Sequence, residues 1–497
     1  MSRPAATDTL PAATVCEQAR LSRDPRFDGL FFTAVSSTGI YCRPVCPAPA
    51  PKAANVRYYG SAAAAEAAGY RPCLRCRPEL APGEGAWRRG DETVARALKL
   101  IDQGALVDAP LADLAGRVGI GERQLRRLFV DRLGAAPIGV HGTRRLLFAK
   151  QLLTETTLPV TDVAMAAGFG SLRRFNTTFR DAYRMAPRDL RRRPRVAGDD
   201  ALVLRVGYRP PHDLASMLAF LSGRALPGVE TVDRTGYARL IPPASVGDAP
   251  AWFRVTPWPD GEHALRLELH GVPPARLLDV VGRVRRMFDL DADPATIAAT
   301  LSASPALRPL LRKRPGLRLP SAWDGFELAV RAVLGQQVSV AAARTLATRI
   351  AHRFGTALEA PPAPGLTHLF PGADVLAEAD LAGIGLTRAR ADTVRGIARA
   401  VLDGRVDFRP ERTLADFVDQ WTALPGIGDW TAHYIAMRAL GHPDAFPADD
   451  LVLRRAMAVD GKPPTARALT TRAEAWHPWR AYAVIHLWRD ATPRTPA

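Results

Sequence analysis

The placement of the cysteines constrains the fold of this chain more than any other feature. All five cysteines lie within the first 76 of 497 residues, and four of them form two close pairs, Cys42-x3-Cys46 and Cys73-x2-Cys76. Four thiolates in two close pairs suit a tetrahedral Zn²⁺ ion, whereas disulfides need an oxidising compartment, which nothing in the sequence supports. We therefore expect one small zinc domain, and the spacing leaves open whether its metal is purely structural. The fifth cysteine, Cys16, is expected to be an ordinary, partly buried thiol.

The residues around these cysteines carry a specific resemblance. The segments DPRFDGLFFTAV, TGIYCRPVCPAP and NVRYYGSAAAAEAAGYRPCLRC resemble the zinc domain of the Ada alkylation-response proteins, over residues 14–80. The resemblance implies that Cys42 is both a zinc ligand and the acceptor of a methyl group from a methyl phosphotriester in DNA, while Cys46, Cys73 and Cys76 only hold the metal. Zinc keeps a cysteine as thiolate, which is the nucleophilic form. Because methylation would remove one negative charge, we expect it to strengthen binding to DNA phosphates.

The charge balance points to a polyanionic partner. Lys and Arg number 67 against 50 Asp and Glu, which gives a formal net charge of +17. A surplus of this size favours nucleic acid, although a general preference for arginine would produce the same balance. No apolar run is long enough for a membrane span or a signal peptide, so we expect a soluble, cytoplasmic protein.

Residues 111–193 carry a dense positive charge, with 16 Lys and Arg against 7 Asp and Glu. Two stretches, LADLAGRVGIGERQLRRLFVDRLGAAP and VTDVAMAAGFGSLRRFNTTFRDAYRMAP, each predict a helix, a glycine-containing turn and a second helix. They resemble the AraC-type DNA-binding domain, which implies that each second helix enters a major groove. A solvated basic bundle is the alternative. The second-helix arginines expected to contact DNA are Arg123, Arg126, Arg127, Arg173 and Arg174.

Towards the C-terminus, the sequence LPGIG lies between two helical patterns. Its glycines Gly426 and Gly428 permit a tight hairpin whose backbone N–H groups can approach a DNA phosphate. With Asp449 and Asp450, 23 and 24 residues after Gly426, it resembles the helix–hairpin–helix DNA glycosylase superfamily. The resemblance places the catalytic carboxylate at Asp450, whereas Asp449 is expected to cap or support the next helix. The alternative is that both residues are caps.

Longer segments narrow this resemblance to the AlkA-type 3-methyladenine glycosylases over residues 202–490, among them GLRLPSAWDGFELAVRAVLGQQVSVAAA and WHPWRAYAVIHLW. A carboxylate stabilises the sugar cation that develops as the base departs, and an aromatic pocket attracts a cationic alkylated purine. Where bifunctional relatives carry a nucleophilic lysine, this chain has Trp430, which implies a monofunctional enzyme. The pocket residues implied are Trp430, Tyr434, Trp488, Phe220 and Leu451, the last in place of a tyrosine frequent in the family.

Two further roles follow from the same resemblance. Gln337, in LGQQVSV, matches the wedge that fills the gap left by a flipped base, a position where some members carry leucine. An ordinary exposed amide is the alternative. The hairpin also resembles those that hold a monovalent cation through backbone carbonyls, here the carbonyls of Thr422, Leu424 and Ile427.

We expect a multidomain protein, mainly α with α+β parts. The predicted domains are a small mixed α/β zinc domain (1–85), an AraC-type double helix-turn-helix (91–193), a small α+β domain (200–290) and an all-helical helix–hairpin–helix glycosylase domain (291–492). Linkers are predicted over 77–91 and 191–200 from their Pro, Gly and charged residues. Strands are predicted for LVLRVGY, GYARLI, WFRVTP and ALRLELH, and a helix for LASMLAFLSGR.

The predicted function is excision of alkylated purines, such as 3-methyladenine and 7-methylguanine, joined to a methyl-accepting half that binds promoter DNA. The first alternative is a purely regulatory DNA-binding protein whose glycosylase half is inactive. The second is an active glycosylase with a merely structural zinc domain. The predicted partners are double-stranded DNA and RNA polymerase, and we expect a monomer because nothing in the sequence demands a dimer.

Overall fold

A computed structural model describes residues 10–83, 92–107, 109–191, 201–243, 250–409 and 412–491. The chain divides into two compact units. The first comprises Met1–Pro210, Pro257–Arg285 and Leu290–Asp293, and the second Pro211–Thr256, Arg286–Asp289 and Pro294–Ala497. This division is coarser than the four predicted domains, whose bounds remain predictions. Within the described ranges, no helix is long and apolar enough to cross a membrane.

Helices dominate the described residues, as predicted. In the first 191 residues they are α1 (Ala13–Ser22), α2 (Ala62–Ala67), α3 (Glu92–Asp102), α4 (Leu111–Arg117), α5 (Glu122–Leu133), α6 (Pro137–Glu155), α7 (Val160–Ala166), α8 (Leu172–Tyr183) and α9 (Pro187–Leu190). The later helices are α10 (Leu214–Ser222), α11 (Leu277–Met287), α12 (Pro294–Leu301), α13 (Arg308–Lys313), α14 (Gly325–Leu334), α15 (Val340–Phe354), α16 (Ala373–Glu378), α17 (Arg388–Leu402), α18 (Leu414–Thr422), α19 (Asp429–Ala439), α20 (Leu451–Ala456), α21 (Ala466–Ala473) and α22 (Arg480–Ala491).

The strands are short. They are β1 (Phe32–Val35), β2 (Ile40–Cys42), β3 (Val56–Tyr59), β4 (Arg71–Pro72), β5 (Leu202–Gly207), β6 (Glu230–Val232), β7 (Tyr237–Ile241), β8 (Ala251–Pro257), β9 (Ala264–His270), β10 (Thr356–Ala357) and β11 (His368–Leu369). All four predicted strand stretches are confirmed, as β5, β7, β8 and β9, and the predicted helix is α10. Strand β6 was not predicted, because three residues are too few to show a period.

The cysteine-rich region is a small mixed α/β fold in the first unit, as predicted. Its sheet has the order β3-β1-β2-β4, in which β1 pairs antiparallel with β2 and β3, and β4 runs parallel to β2. Phe32 and Tyr41 pack edge to face in its core, with ring centroids 5.6 Å apart. Because β2 and β4 are neighbours, Cys42 at the end of β2 comes close to Cys73 just after β4.

The two predicted helix-turn-helix patterns fold as α4–α5 and α7–α8, also in the first unit. Each turn contains a glycine in the left-handed region, Gly119 at φ +80 and Gly168 at φ +73, where a side chain would be strained. Phe129, Phe175 and Phe179 are fully buried and leave the opposite faces of α5 and α8 to the charged residues. The spacing of the apolar residues therefore determines which face of each second helix is available to a ligand.

The stretch 77–91, predicted as a linker, is packed where the structure describes it. Pro78–Leu80 forms a 3-10 turn, and Leu80 is buried. Glu79 pairs with Lys150 of α6, and both side chains are only 1% exposed. The linker prediction is therefore wrong for residues 77–83, because burial and this ion pair override the Pro/Gly composition. Residues 84–91 and the second predicted linker beyond residue 191 lie outside the described residues.

In the second unit, β7 pairs antiparallel with β6 and β8, while β5 pairs antiparallel with β9 in the first unit. Helices α12 to α22 make up most of the second unit. The region predicted to be all-helical also holds β10 and β11, a two-residue antiparallel pair. The LPGIG sequence joins α18 to α19 as predicted, and α20 begins directly after the Asp449–Asp450 pair.

Candidate functional sites

Asp450 stands at the N-terminus of α20, where a carboxylate meets the unpaired N–H groups of the first helical turn. Its Oδ1 accepts a hydrogen bond from the backbone N–H of Leu453 at 3.0 Å, so Asp450 is the N-cap. The prediction that Asp449 caps this helix is wrong. Asp450 has the extended backbone that precedes the first helical residue, whereas Asp449 lies one residue too early and is exposed.

Two indole rings hold the same carboxylate. Trp430 Nε1 donates to Oδ2 of Asp450, and Trp488 Nε1 donates to Oδ1, each at 3.0 Å. All three of its donors are neutral, and no cationic side chain of the described residues lies within ion-pair distance. The carboxylate is therefore fixed in position, while its negative charge remains available to a cation that develops beside it.

Aromatic rings surround this carboxylate. Trp430 and Tyr434, one turn apart on α19, stack with ring centroids 5.2 Å apart and planes 13° from parallel. The ring of Trp488, from α22, lies 6.1 Å from that of Tyr434. These rings and Asp450 line one cavity of about 1120 Å³ in the second unit. Such a lining suits a planar ligand, as a flipped nucleobase is.

The other two predicted pocket residues, Leu451 and Phe220, differ from these rings in their position relative to the cavity. Leu451 lines the cavity at its mouth and is 53% exposed. Phe220 of α10 is not among the lining residues, because the guanidinium groups of Arg224 and Arg438 lie 3.7 and 4.6 Å from its ring centroid. The two arginines line the cavity in its place.

These arginines were missed at the sequence level. They lie far apart in the chain, so no local pattern connects them, although each follows an aromatic residue by one helical turn, Phe220 and Tyr434 respectively. Burial lowers the pKa of Arg438 to about 10, and its Nη1 donates to the Tyr434 hydroxyl at 3.0 Å. Burial alone would raise the pKa of Tyr434, but Arg438, Arg224 and Arg331 outweigh it and lower that pKa.

The LPGIG hairpin brings its two glycines to the surface. Gly426 has φ +84, and a Cβ there would lie 2.1 Å from Thr393 Oγ1, so only glycine fits. Gly428 is the N-cap of α19, and both glycines are exposed. The backbone of the turn is thus open to a phosphate.

The cation predicted at this hairpin has less support. Of the three residues whose carbonyls were predicted to bind it, Leu424 and Ile427 are buried and Thr422 is half-buried. The carbonyl of Leu424 accepts the N–H of Ile427 at 3.1 Å. The monovalent cation remains a prediction.

Gln337 lies in the turn between α14 and α15, at the mouth of the cavity. It is exposed, and its φ of +54 lies in the left-handed region, which is uncommon for a residue other than glycine. Its neighbour Gln336 donates to the carbonyl of Gly426 at 3.0 Å and to Thr431 Oγ1 at 3.1 Å. These bonds tie the turn to the hairpin, whereas the wedge role of Gln337 remains a prediction.

The first unit holds a second site. Its four cysteine sulfurs lie within 4.8 Å of one another, as predicted, and belong to Cys42, Cys46, Cys73 and Cys76. The backbone N–H of Arg43 donates to the sulfur of Cys76, and that of Arg75 to the sulfur of Cys73, both at 3.3 Å. Backbone donors of this kind stabilise and orient metal-binding thiolates.

The chemistry of these donors fits zinc. The hydrogen bond to Cys46 raises the pKa of Cys42, and the hydrogen bond from Cys42 lowers the pKa of Cys73. Four sulfurs at this separation cannot all ionise unless a cation offsets their repulsion. Cys42 and Cys46 are half-buried, whereas Cys73 and Cys76 are buried, so an incoming group reaches the first pair more readily. The cluster thus suggests a zinc site.

The cysteine site is joined to the helix-turn-helix region within the first unit. Lys150 of α6 donates to the carbonyl of Cys73 at 3.1 Å and pairs with Glu79. Arg77, the residue after Cys76, reaches Glu155 at the C-terminus of the same helix at 2.8 Å. Polar contacts therefore connect α6 to Cys73 directly and to Cys76 through the adjacent Arg77.

The predicted DNA-contacting arginines lie in the first two turns of α5 and in the first turn of α8, and all are exposed. They are Arg123, Arg126, Arg127, Arg173 and Arg174. Only one of them, Arg126, forms an ion pair within the described residues, with Glu122 at 2.6 Å. Exposed arginines near the N-terminus of a second helix suit contacts to phosphates and base edges.

Four family models match successive parts of the chain. They are the metal binding domain of Ada over residues 15–79, a helix-turn-helix domain over 114–193, the AlkA N-terminal domain over 203–324, and the HhH-GPD superfamily of base excision DNA repair proteins over 330–481. The cysteine site lies in the first match, and Asp450 lies in the last.

Whole-chain similarity extends this result. The chain is 41% identical over 485 residues to the probable bifunctional transcriptional activator/DNA repair enzyme AlkA of Mycobacterium tuberculosis, covering 95% of each. It is 35% identical to DNA-3-methyladenine glycosylase 2 of Escherichia coli, covering 57% of this chain and 95% of that protein. It is 41% identical to the bifunctional transcriptional activator/DNA repair enzyme Ada of Escherichia coli, covering 24% of this chain and 32% of that protein.

Proposed function

The chain belongs to the family of bifunctional proteins that combine Ada-type zinc and helix-turn-helix domains with an AlkA-type glycosylase, and we propose that it excises alkylated purines from DNA. The proposed substrates are 3-methyladenine and 7-methylguanine. The observation that carries the proposal is the carboxylate of Asp450, which Trp430 and Trp488 hold at 3.0 Å on the wall of an aromatic cavity.

The cavity favours a cationic base. A purine alkylated at a ring nitrogen carries a positive charge, and the faces of Trp430, Tyr434 and Trp488 attract it through stacking and cation–π interactions. When the bond between the sugar C1′ and the base nitrogen breaks, both electrons go to the base, which leaves neutral. Positive charge then develops on the sugar, and Asp450 stabilises it. A water molecule then supplies the hydroxyl group for C1′, and its remaining proton is released to solvent.

The reaction ends at an intact abasic site. A lyase step needs an amine that forms a Schiff base with the sugar, and the position that resembles the family's lysine holds Trp430, which donates its N–H to Asp450. The hairpin glycines Gly426 and Gly428 bind the DNA backbone through N–H groups, and Gln337 fills the gap that the flipped base leaves.

The first unit adds a stoichiometric reaction. The Cys42 sulfur attacks the methyl carbon of a methyl phosphotriester, the carbon–oxygen bond breaks, and its electron pair returns to the phosphate as a diester. Bound zinc would keep all four sulfurs deprotonated. Methylation removes one negative charge from the centre and thereby strengthens binding of the first unit to promoter DNA. The exposed arginines of α5 and α8 bind that DNA, and RNA polymerase is the further partner of an activator of this kind.

The test of the glycosylase proposal is base release from methylated duplex DNA. We expect the full chain to release 3-methyladenine and 7-methylguanine, and to leave abasic sites that stay uncleaved until alkali is added. Borohydride should trap no covalent protein–DNA adduct, whereas a lysine-dependent lyase measured in parallel should be trapped. Release of neither base would overturn the proposal, and a trapped adduct would overturn its monofunctional part.

A further inference from the structure

The loop that carries Asp450 contains a second, buried aspartate. This loop runs from residue 440 to residue 450, between α19 and α20. The side chain of Asp444 within it is only 8% exposed. Asp444 is not among the residues that line the cavity, so it does not touch a base bound there. The proposed excision reaction therefore gives this buried carboxylate no direct role.

Asp444 holds the first residue of α22. Arg480 Nε donates to its Oδ1 at 2.7 Å and Nη2 donates to its Oδ2 at 2.5 Å, a forked geometry that fixes the direction of the guanidinium as well as its distance. His477 Nδ1 lies 2.9 Å from the same Oδ2. The next residue, Ala481, donates its backbone N–H to the carbonyl of Pro443 at 2.8 Å. The N-terminus of α22 is therefore bonded to the loop at two consecutive residues.

The same helix supplies Trp488, whose indole N–H donates to Asp450 at 3.0 Å. Trp488 follows Arg480 by eight residues, a distance of about 12 Å along the helix axis at a rise of roughly 1.5 Å per residue. Because a hydrogen-bonded helix is stiff along its axis, the position of Arg480 sets how far the Trp488 ring reaches towards Asp450. The loop and α22 are thus joined twice, at Asp444 and at Asp450.

The loop is also bonded to α19. His433 Nδ1 accepts the backbone N–H of Phe446 at 3.2 Å. Burial lowers the pKa of His433, which keeps the ring neutral and its Nδ1 an acceptor. Trp430, the other indole donor to Asp450, lies three residues earlier on the same helix. Both helices that hold the carboxylate are therefore bonded to the loop that carries it.

We propose that the Arg480–Asp444 pair is a positioning device for base excision, which sets the separation between α22 and the loop so that Trp488 reaches Asp450. The inference rests on the proposed glycosylase function. Arg480 and Asp444 are positioning residues, because they contact neither the cavity nor the carboxylate of Asp450. A displacement of about 1 Å at a reacting centre costs about 100-fold in rate, so a looser pair should slow base release without weakening DNA binding.

The variant Arg480→Lys tests this role in the full chain. It keeps the charge that pairs with Asp444, so the fold is retained, but it replaces the rigid fork by a point charge on a flexible stem. Single-turnover release of 7-methylguanine should fall about tenfold, while affinity for a duplex with a tetrahydrofuran abasic-site analogue should stay within about twofold. The matched control is Arg412→Lys. Arg412 forms the same kind of fork with Asp407, at 3.0 and 3.3 Å outside the cavity lining, and its change should alter neither quantity.

A double-mutant cycle separates positioning from a general structural effect. The change Arg480→Lys is made a second time in the Trp488→Phe protein, where the bond that Arg480 positions is already absent. If Arg480 acts through Trp488, its effect on the rate should shrink to less than about twofold in that background. Independent structural effects would multiply instead.

The outcomes distinguish the inference from its premise. If the wild-type chain releases no 7-methylguanine, the proposed function itself fails. If the wild-type chain is active and Arg480→Lys releases the base at the same rate, the inference is overturned and the proposed function stands. Rate and affinity that fall by the same factor, or an equal effect of Arg480→Lys in both backgrounds, would show a structural role only and would also overturn it. A slower release with unchanged affinity, which disappears in the Trp488→Phe background, supports the inference.

Discussion

Four sulfurs lie within 4.8 Å of one another in the first unit, whereas Asp450 presents a single carboxylate, held by hydrogen bonds, on a cavity wall in the second. Four ionised sulfurs at this separation would need a cation, because their mutual repulsion exceeds what two backbone N–H groups at 3.3 Å can offset. The carboxylate needs none, since two indole N–H groups and one backbone N–H hold it at 3.0 Å.

This difference explains why the proposed reactions of the two sites differ in kind. A thiolate that accepts a methyl group forms a stable thioether, so the first site acts once. A carboxylate held by neutral donors only lends its charge to a transition state, so the second site acts repeatedly. Under this proposal, one chain keeps a methyl group bound at the first site and releases damaged bases repeatedly at the second.

The largest expected effect is complete loss of methyl acceptance in Cys42→Ser, because a serine hydroxyl is not ionised at neutral pH. Transfer of a labelled methyl group from a methyl phosphotriester oligonucleotide measures it. Cys16→Ser is the control, since Cys16 is fully buried outside the cluster. Base release should continue in both variants. Labelled Cys42→Ser protein would refute the assignment, and a fully active Cys42→Ser glycosylase would confirm that the two reactions are separate.

The next largest effect is expected for Lys150→Met, which removes the contacts of α6 with Glu79 and with the carbonyl of Cys73. Removing one partner of a buried ion pair costs about 3–5 kcal/mol, and Lys150 and Glu79 are each 1% exposed. We expect the backbone amides of α6 to exchange with solvent much faster, as hydrogen exchange would show. Arg126→Met breaks the exposed pair with Glu122 and should cost at most about 1 kcal/mol. Equal effects of the two changes would contradict the packing described here.

Trp488→Phe tests the neutral support of the carboxylate. It keeps a ring on the cavity wall and removes one hydrogen bond to Asp450, which is worth about 1.5–3 kcal/mol for a charged acceptor. Single-turnover base release should therefore fall about 10- to 100-fold. Trp479→Phe makes the same change away from Asp450 and should have a smaller effect. A rate for Trp488→Phe equal to that of the control would show that the indole N–H is dispensable.

The smallest effect concerns the helix-turn-helix surface. Arg173→Ala removes an exposed charge from the first turn of α8, and we expect promoter affinity to fall by about 1–3 kcal/mol. Arg188→Ala, in α9 and beside Asp189, is the control and should change affinity less. If the contact is to a phosphate, the salt dependence of binding should also weaken by about one unit of slope. An unchanged affinity for Arg173→Ala would remove this arginine from the interface.

Local patterns predicted most of the elements that position the two sites. The cysteine spacing predicted the cluster, and the glycine turns with their apolar periods predicted both helix-turn-helix units. The hairpin sequence and the Asp pair placed Asp450 correctly before α20. The glycine turns, the hairpin and each cysteine pair are visible in sequence because their residues lie within about one turn of each other, whereas the link from the hairpin to Asp450 came from the resemblance to the glycosylase superfamily.

What the sequence could not predict depends on contacts between distant segments. The capping role belongs to Asp450 and not to Asp449, because it depends on the residue at which the helix begins, and sequence patterns locate helix ends only to a few residues. The packing of residues 77–83 depends on Lys150 of α6. Phe220 does not line the cavity because Arg438 of α19 packs over its ring. Composition in either segment alone carries no signal of these partners.

The most direct test of the central claim is the single-turnover rate of 7-methylguanine release by the wild-type chain, Asp450→Asn and Asp449→Asn. The claim is that the charge of Asp450 stabilises the sugar cation, while the adjacent carboxylate does not. We predict that Asp450→Asn, which keeps the shape and a hydrogen-bond acceptor, loses base release, and that Asp449→Asn retains most of it. Equal losses in the two variants, or release by Asp450→Asn at the wild-type rate, would contradict the account.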